Sequence, residues 1–118
     1  MWYGFSYLGM PRASIDGLLR ALASPRRRRT CAYLAELDDP VATVDDIAEH
    51  LRRVERESGR LVSGRREVAL ALHHTDLPKL DDLGVVEFDP RDGVVRYHGD
   101  PTLERVLQAV SELEPAAC

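Results

Sequence analysis

Apolar residues recur at helical spacing from residue 65 to residue 83, after which the chain changes to β-type residues. Roughly 200° of the circumference of this helix is apolar, and the rest is polar or small. The apolar side is predicted to pack into the core and consists of Val68, Ala69, Leu70, Leu72, Leu77, Leu80 and Leu83. Gly84 follows where a helix end needs left-handed backbone. The pattern therefore predicts a helix that ends at a glycine and leads directly into a strand.

Capping residues divide the rest of the chain into four further helices. Ser14, Ser24 and Thr43 are of the type that accepts a hydrogen bond from the first turn of a helix, and Asp100 precedes a proline suited to a first helical position. The helices predicted from these signals cover residues 15–23, 26–37, 44–56 and 102–113. Pro78 lies inside the 65–83 helix, where it is expected to remove one hydrogen bond and to kink the helix.

Two Val-rich runs predict a β-hairpin near the C-terminal end. They cover residues 85–88 and 94–98, and Gly93 supplies the positive φ that a tight connection needs. Val41-Ala42 is a candidate for one more short strand. The order of these elements predicts an α+β fold, mostly α: a winged helix-turn-helix with a two-stranded wing and a C-terminal helix.

The chain length favours a single domain. Its 118 residues are enough for one core and too few for two. We expect the winged helix domain to cover residues 14–113 and a short tail to cover residues 114–118. Residues 1–13 are expected to be an N-terminal arm that is disordered or paired as a strand with a partner, unless they result from a misplaced start codon.

The charge balance limits the functions that the chain can have. Sixteen basic and 20 acidic side chains give a net charge of −4 at pH 7. An extended surface that releases many counterions from nucleic acid normally carries excess basic charge, so any DNA contact is expected to be local. Cys31 and Cys118 show neither a metal-binding nor a disulfide spacing, which indicates a reduced, cytoplasmic protein. The first ten residues lack the basic start of a signal peptide and are too few to span a bilayer.

The most basic segment is Arg26-Arg27-Arg28-Arg29, at a predicted helix N-terminus. The helix macrodipole disfavours cations there by up to ~1 kcal/mol per charge, so a compensating interaction is required. One interpretation is that Arg27 and Arg28 contact DNA phosphates. The other, which we favour because consecutive helical residues point in different directions, is ion pairing with acids such as Asp38, Asp39, Asp45 and Asp46.

Two segments resemble a known family. Residues 23–34 are similar to the "Asp-Pro-x-Arg-x-x-Ile-Leu-x-x-Leu" helix of ArsR-like winged helix regulators, with matches at Pro25, Arg27, Cys31 and Leu34. Residues 73–86 resemble the "His-His-Leu-x-x-Leu-x-x-Ala-Gly-Leu-Val" recognition helix of the same family. Residues 72–86 look even more like an uncharacterised haloarchaeal winged helix family. The resemblance covers residues 14–98 and implies a winged helix fold with DNA binding and transcription regulation.

This resemblance, together with the local arginine clusters, predicts a homodimeric DNA-binding transcriptional regulator. Recognition helix 65–83 would enter the major groove, and wing 85–98 would touch phosphates or the minor groove. Because Asp76, Asp81 and Asp82 are expected to face outward and repel DNA, base contacts are predicted in the first two turns of the helix. The predicted DNA-contacting residues are Arg27, Arg28, Arg65, Arg66, His74, Thr75, Lys79, Arg91 and Arg96.

A narrow apolar stripe on the last helix is predicted to form the dimer interface, with docking onto the chain's own first helix as the alternative. The stripe consists of Leu103, Val106, Leu107, Val110 and Leu113. Because the net charge is acidic, a second functional hypothesis also remains. In it, the protein is a winged helix module for protein interaction or dimerisation that does not bind DNA.

The chain contains no motif from which we would predict an enzyme, a metal site or a cofactor. It has no Gly-rich phosphate loop, no nucleophile elbow and no pair of histidines at metal-binding helical spacing. His73 and His74 are adjacent, so their side chains point about 100° apart on a helix and do not readily bind one ion together. His50 and His98 are expected to be ordinary surface residues.

Overall fold

The computed structural model describes residues 14–59 and 63–113, so the predicted N-terminal arm and C-terminal tail lie outside the described residues. Within these ranges the chain forms five helices and three strands. In chain order they are α1 (Ile15–Ala21), α2 (Pro25–Glu36), β1 (Val41–Thr43), α3 (Val44–Glu57), α4, β2 (Val86–Asp89), β3 (Val94–Tyr97) and α5 (Pro101–Leu113). Helix α4 has three consecutive parts: α-helix Arg65–Ala71, π-helical turn Leu72–Asp76 and α-helix Leu77–Asp82.

Side-chain caps begin three of the helices at the predicted residues. The hydroxyl of Ser14 accepts a hydrogen bond from the Gly17 amide at 3.0 Å. The Ser24 hydroxyl caps α2 in the same way, and Thr43 caps α3. Such a cap contributes on the order of 1 kcal/mol by satisfying one of the amides that a helix N-terminus leaves unpaired. Helix α1 ends at Ala21, two residues before its predicted end at Ala23.

The three strands form one antiparallel sheet in which β3 lies between β1 and β2. Phe88 of β2 and Ala42 of β1 both pair with Val95 of β3. The β2–β3 hairpin, which we call the wing, turns through Gly93 at a φ of 68°. The hairpin prediction is confirmed. The short strand predicted at Val41-Ala42 is also present, and it forms the third strand of the sheet beside the two-stranded wing. The α+β, mostly helical fold is also confirmed, and its arrangement is consistent with a winged helix.

A single core connects the helices with the inner face of the sheet. Its fully buried side chains come from all five helices and from the wing, and include Leu18, Leu34, Ile47, Leu72, Val86, Val95 and Leu103. Within residues 14–59 and 63–113, no helix combines the length with the apolar character that crossing a bilayer requires.

Helix α5 packs against the rest of its own chain. Leu103 is fully buried in the core, so its predicted place in a dimer interface is wrong. Val106 and Leu107 pack partly against the same core. The Tyr97 hydroxyl donates a hydrogen bond of 2.8 Å to the Glu104 carboxylate, and α5 packs against α2. Of the predicted stripe, only the C-terminal part therefore remains available to a partner, since Leu113 is 83% exposed.

Cys31 is fully buried on α2, and this burial raises the pKa of its thiol to about 12. The thiolate is the reactive form of cysteine, and burial keeps the Cys31 thiol protonated at neutral pH. In a Cys118→Ser variant, Cys31 is therefore expected to react with a disulfide reagent at least about a hundredfold more slowly in native buffer than in denaturant. Absorbance of the released thiol measures both rates. Similar rates in the two conditions would contradict the burial of Cys31.

Candidate nucleic-acid interface

Side chains of α3 hold the start of α4 in place. Arg52 Nε donates a hydrogen bond of 3.2 Å to the carbonyl oxygen of Ser63, and the Ser63 amide donates to the Glu55 carboxylate at 3.3 Å. At the helix start itself, the Gly64 amide donates to the Glu67 carboxylate at 3.2 Å. These bonds satisfy backbone groups just before the first turn of α4. The turn that carries Arg65 and Arg66 is thereby fixed relative to α3.

The π-helical turn changes which side chains of α4 face the core. Val68, Leu72, Leu77 and Leu80 are buried as predicted, but Leu70 is 48% exposed, so its predicted burial is wrong. A π-turn inserts one residue into the α-helical period and so rotates everything after it by roughly 100°. In a regular helix, Leu70 and Leu77 would lie on the same side. The inserted residue rotates Leu77 toward the centre of the buried face, and Leu70 stays at the edge of that face.

Pro78 lies two residues after the end of the π-helical turn. The Leu77 amide donates to the carbonyl oxygen of Leu72, five residues earlier, and Pro78 lies in the first turn of the helical segment that comes next. A proline lacks the amide that an α-helix would use and clashes with the carbonyl four residues before it. The predicted disturbance of the helix at Pro78 is therefore present in the structure as this wider, π-helical turn.

Asp76 is buried, which corrects the prediction that it faces outward. It is 1% exposed and accepts a charged hydrogen bond from Arg26 Nε. Arg27 Nη1 lies 3.8 Å from its other oxygen. Asp76 follows Leu72 and precedes Leu80 by four residues each, and that spacing places all three on one face of a helix. The spacing was thus a readable signal of burial, although it did not identify the arginines as partners.

Arg27 and Arg28 bind the C-terminal carbonyls of α1. Arg27 donates to the carbonyl oxygens of Ala21 at 3.0 Å and Arg20 at 2.9 Å, and Arg28 donates to that of Leu22 at 2.8 Å. Cations are favourable at this end of a helix because its last carbonyls are unpaired and carry partial negative charge. The favoured interpretation of the basic run as structural is supported, but the acidic partner of Arg26 and Arg27 is Asp76 and not one of the predicted acids. We therefore leave Arg27 and Arg28 out of the candidate surface.

A groove of about 600 Å³ separates the exposed side of α4 from the turn of the wing. We call it the helix–wing groove. It brings together three of the predicted DNA-contacting residues, Arg66, His74 and Arg91. All three side chains are exposed. Within the described residues, neither Arg66 nor Arg91 has a hydrogen bond or ion pair from its guanidinium group. Two cationic groups from separate elements are therefore available to a ligand at one site.

Two hydrogen bonds set the distance between α4 and the wing. His73 Nε2 donates to the carbonyl oxygen of Pro90 at 3.0 Å, and the ring of His73 meets that of Phe88 edge-on with centroids 5.4 Å apart. Nearer the end of α4, the Asp81 carboxylate accepts a hydrogen bond of 2.9 Å from the Phe88 amide. The sequence did not reveal these roles of His73 and Asp81, because their hydrogen-bond partners lie 17 and 7 residues away and no local pattern indicates them.

The other predicted contact residues lie outside the groove. Arg65, Thr75 and Lys79 are exposed on α4. Arg96 is exposed on β3, where it pairs in register with Glu87 of β2. The structure thus brings together only part of the predicted set, and the remaining residues extend along α4 and the sheet on either side.

His50 differs from the surface residue that was predicted. Its ring is stacked on that of Tyr33 with centroids 4.4 Å apart, and it is half-buried. Burial, with the nearby charge of Arg53 second, lowers the pKa of His50 below its ordinary value. In residues 14–59 and 63–113, no three metal-binding side chains lie close enough together to hold an ion.

Comparison with known proteins identifies one relationship. A family model described as "Domain of unknown function (DUF7344)" matches residues 19–96, more than half of the chain. The match begins within α1 and ends within β3, so it includes α4 and the helix–wing groove. No curated protein and no solved structure matches the chain.

Proposed function

The chain belongs to the DUF7344 family, and from the geometry of α4 and the wing we propose that it is a transcriptional regulator that binds double-stranded DNA as a cytoplasmic homodimer. The proposal depends on one observation above all, the helix–wing groove. There Arg66 and His74 of α4 and Arg91 of the wing lie around a single opening. A recognition helix with a basic wing beside it is the arrangement that reads one groove of DNA while holding the adjacent backbone.

In the proposed complex the first two turns of α4 enter the major groove, which is about 12 Å wide and admits one helix. Arg65 and Arg66 stand at the start of these turns, and Thr75 follows farther along. Arg91 would bind a phosphate on the neighbouring strand. Because the His73–Pro90 bond ties the wing to α4, little ordering is needed when both elements bind.

The burial of Asp76 makes the outer side of α4 more suitable for DNA than the sequence indicated. Its carboxylate is 1% exposed and paired with Arg26, so it contributes little negative potential at the surface. Asp81 and Asp82 remain exposed, but both lie in the last turn of α4, and one Asp81 oxygen accepts the Phe88 amide. Asp81 and Asp82 therefore repel phosphates at the end of α4 that leads into the wing strand, while the exposed Asp45 and Asp92 border the helix–wing groove itself.

The homodimer part of the proposal is supported by apolar side chains that the core leaves uncovered. Ile15 and Leu19 of α1 are 57% and 53% exposed, and Leu113 at the end of α5 is 83% exposed. Ile15 and Leu19 are four residues apart and so lie on one side of α1. A two-fold dimer would present two copies of α4 to the two half-sites of a palindromic DNA site.

A second candidate function is a winged helix module that binds proteins only. The net charge of −4 and the same exposed apolar side chains favour it, since neither feature requires DNA. The two candidates differ in their response to salt. Phosphate contacts release counterions and are weakened steeply by salt, whereas apolar contacts are not.

Fluorescence polarisation with labelled genomic duplexes tests the proposal. We expect binding that weakens as the salt concentration rises, with a slope that corresponds to about three to six phosphate contacts per subunit, because the basic groups are few and local. Sedimentation of the same samples measures the oligomeric state. Absence of duplex binding at low salt, or binding that does not change with salt, would reject the proposed function.

A further inference from the structure

Leu70 is an exposed leucine among polar side chains on the helix proposed to read DNA. It is 48% exposed and lines the helix–wing groove together with Arg66 and His74. Leu70 follows Arg66 by four residues and precedes His74 by four, so the three side chains form one row along α4. His74, the last of the three, already lies within the π-helical turn Leu72–Asp76. An exposed apolar group therefore lies between Arg66 and His74 on the side of α4 that lines the groove.

We propose that Leu70 determines sequence specificity by packing against the C5 methyl group of thymine. The inference rests on the proposed function, because it takes α4 as the helix that enters the major groove. In the major groove, thymine is the one base that presents a methyl group, and the other base edges present hydrogen-bond donors and acceptors there. A leucine side chain cannot bond to those polar edges, and burying them against it would cost free energy.

The neighbours of Leu70 indicate what surrounds the thymine. Arg66 can donate two parallel hydrogen bonds to O6 and N7 of guanine, the commonest specific contact of an arginine in the major groove. One helical turn advances about 5.4 Å, whereas adjacent base pairs are about 3.4 Å apart. The base that Arg66 contacts is therefore expected within about two base pairs of the thymine.

The position of Leu70 separates it from the other exposed apolar residues. Ile15, Leu19 and Leu113 lie on α1 and α5, where they are available to a second copy of the chain. Leu70 instead lies in a groove with Arg66 on one side and Arg91 of the wing at the rim. Val44, Ala69 and Pro90 and the acids Asp45 and Asp92 also line this groove, and Leu70 is its large exposed apolar side chain. A leucine beside an arginine on the exposed side of a helix matches a thymine methyl group beside a polar base edge better than an apolar protein face.

The experiment begins by selecting bound duplexes from a random-sequence pool with the full chain. The selected site is then synthesised with each thymine replaced in turn by deoxyuridine, which pairs identically but lacks the methyl group. At one position the substitution is expected to weaken binding by about fourfold, the change that corresponds to one methyl group losing its buried contact. The remaining thymines are expected to tolerate the substitution.

A Leu70→Ala variant completes the test. In this variant the ratio of thymine to deoxyuridine affinity at that position is expected to fall to about one, because the methyl group has lost its partner. An Arg105→Ala variant removes an exposed side chain of α5, outside the groove and outside the apolar residues proposed for the dimer, and should keep the ratio of the unmodified protein. Since the ratio is taken within each variant, a general loss of affinity does not affect it.

The possible outcomes separate this inference from the proposed function. If the protein selects no duplex, the proposed function fails and the role of Leu70 fails with it. If it selects a site but no thymine methyl group matters, or if Leu70→Ala keeps the full ratio, the role of Leu70 is overturned while DNA binding stands. Capture of a peptide in the groove instead of DNA would favour the protein-binding candidate and reject both.

Discussion

Replacing Arg26 with alanine is expected to lower the free energy of unfolding by about 2–4 kcal/mol. Asp76 is 1% exposed, and without Arg26 the charged partner that remains for it among the described residues is Arg27, whose Nη1 lies 3.8 Å away. A buried carboxylate that loses its main cation retains the full cost of leaving water without the compensating attraction. Urea denaturation measures the effect, since a loss of stability lowers the midpoint while the slope stays the same.

Arg29→Ala is the matched control for this prediction. Arg29 belongs to the same helix turn and the same run of arginines, but within the described residues it has no hydrogen bond or ion pair. Its replacement is expected to cost less than about 1 kcal/mol, mainly through lost packing of its stem. The double variant Arg26→Ala/Asp76→Ala should recover part of the loss, because no buried anion remains. Equal losses for Arg26→Ala and Arg29→Ala would show that the ion pair does not stabilise the fold.

The double variant Arg66→Ala/Arg91→Ala is expected to weaken duplex binding by about 10- to 100-fold at low salt, with a salt slope smaller by about one for each subunit, because Arg91 is proposed to contact a phosphate and Arg66 a base edge. Both side chains are exposed in the helix–wing groove, so the variant removes two cations from the proposed contact surface without opening a cavity. The Arg91 amide would still donate to Asp89 at 3.0 Å, which keeps the turn of the wing intact. Polarisation titrations at several salt concentrations give both quantities.

Arg20→Ala/Arg105→Ala removes the same charge outside the groove. Both residues are exposed, Arg20 on α1 and Arg105 on α5. The control is expected to change duplex affinity by less than about threefold, the effect of net charge alone under screening. If the two double variants weakened binding equally, the binding would be explained by non-specific charge attraction. Unchanged binding by Arg66→Ala/Arg91→Ala would remove the groove from the mechanism.

Much of the fold could be predicted because its signals are local. The caps at Ser14, Ser24 and Thr43 act within three residues of themselves, and Gly84 and Gly93 have the positive φ angles that their turns require. The alternation of the wing strands likewise depends only on neighbouring residues. Elements of this kind are encoded where they occur, so their positions were found to within about two residues.

The candidate site could be predicted only in part. The exposed positions of Arg66, His74 and Arg91 followed from helical and hairpin patterns. Their meeting at one groove did not, because 25 residues separate Arg66 from Arg91 and their distance depends on how the wing folds back against α4. Leu70 was placed in the core because a regular period was assumed for the whole helix, and the π-turn before Pro78 breaks that period.

The sequence by itself determined the order of helices and strands, the caps that begin them and the glycines that end or reverse them, since each depends on interactions within a few residues. Only the tertiary structure decided which charges are neutralised inside and which remain for a ligand. Arg26 and Asp76 are 50 residues apart, and no local pattern specifies such a pair. The same holds for the His73–Pro90 bond, which sets the width of the groove. Both depend on packing the whole core, which brings distant polar groups together where water is excluded.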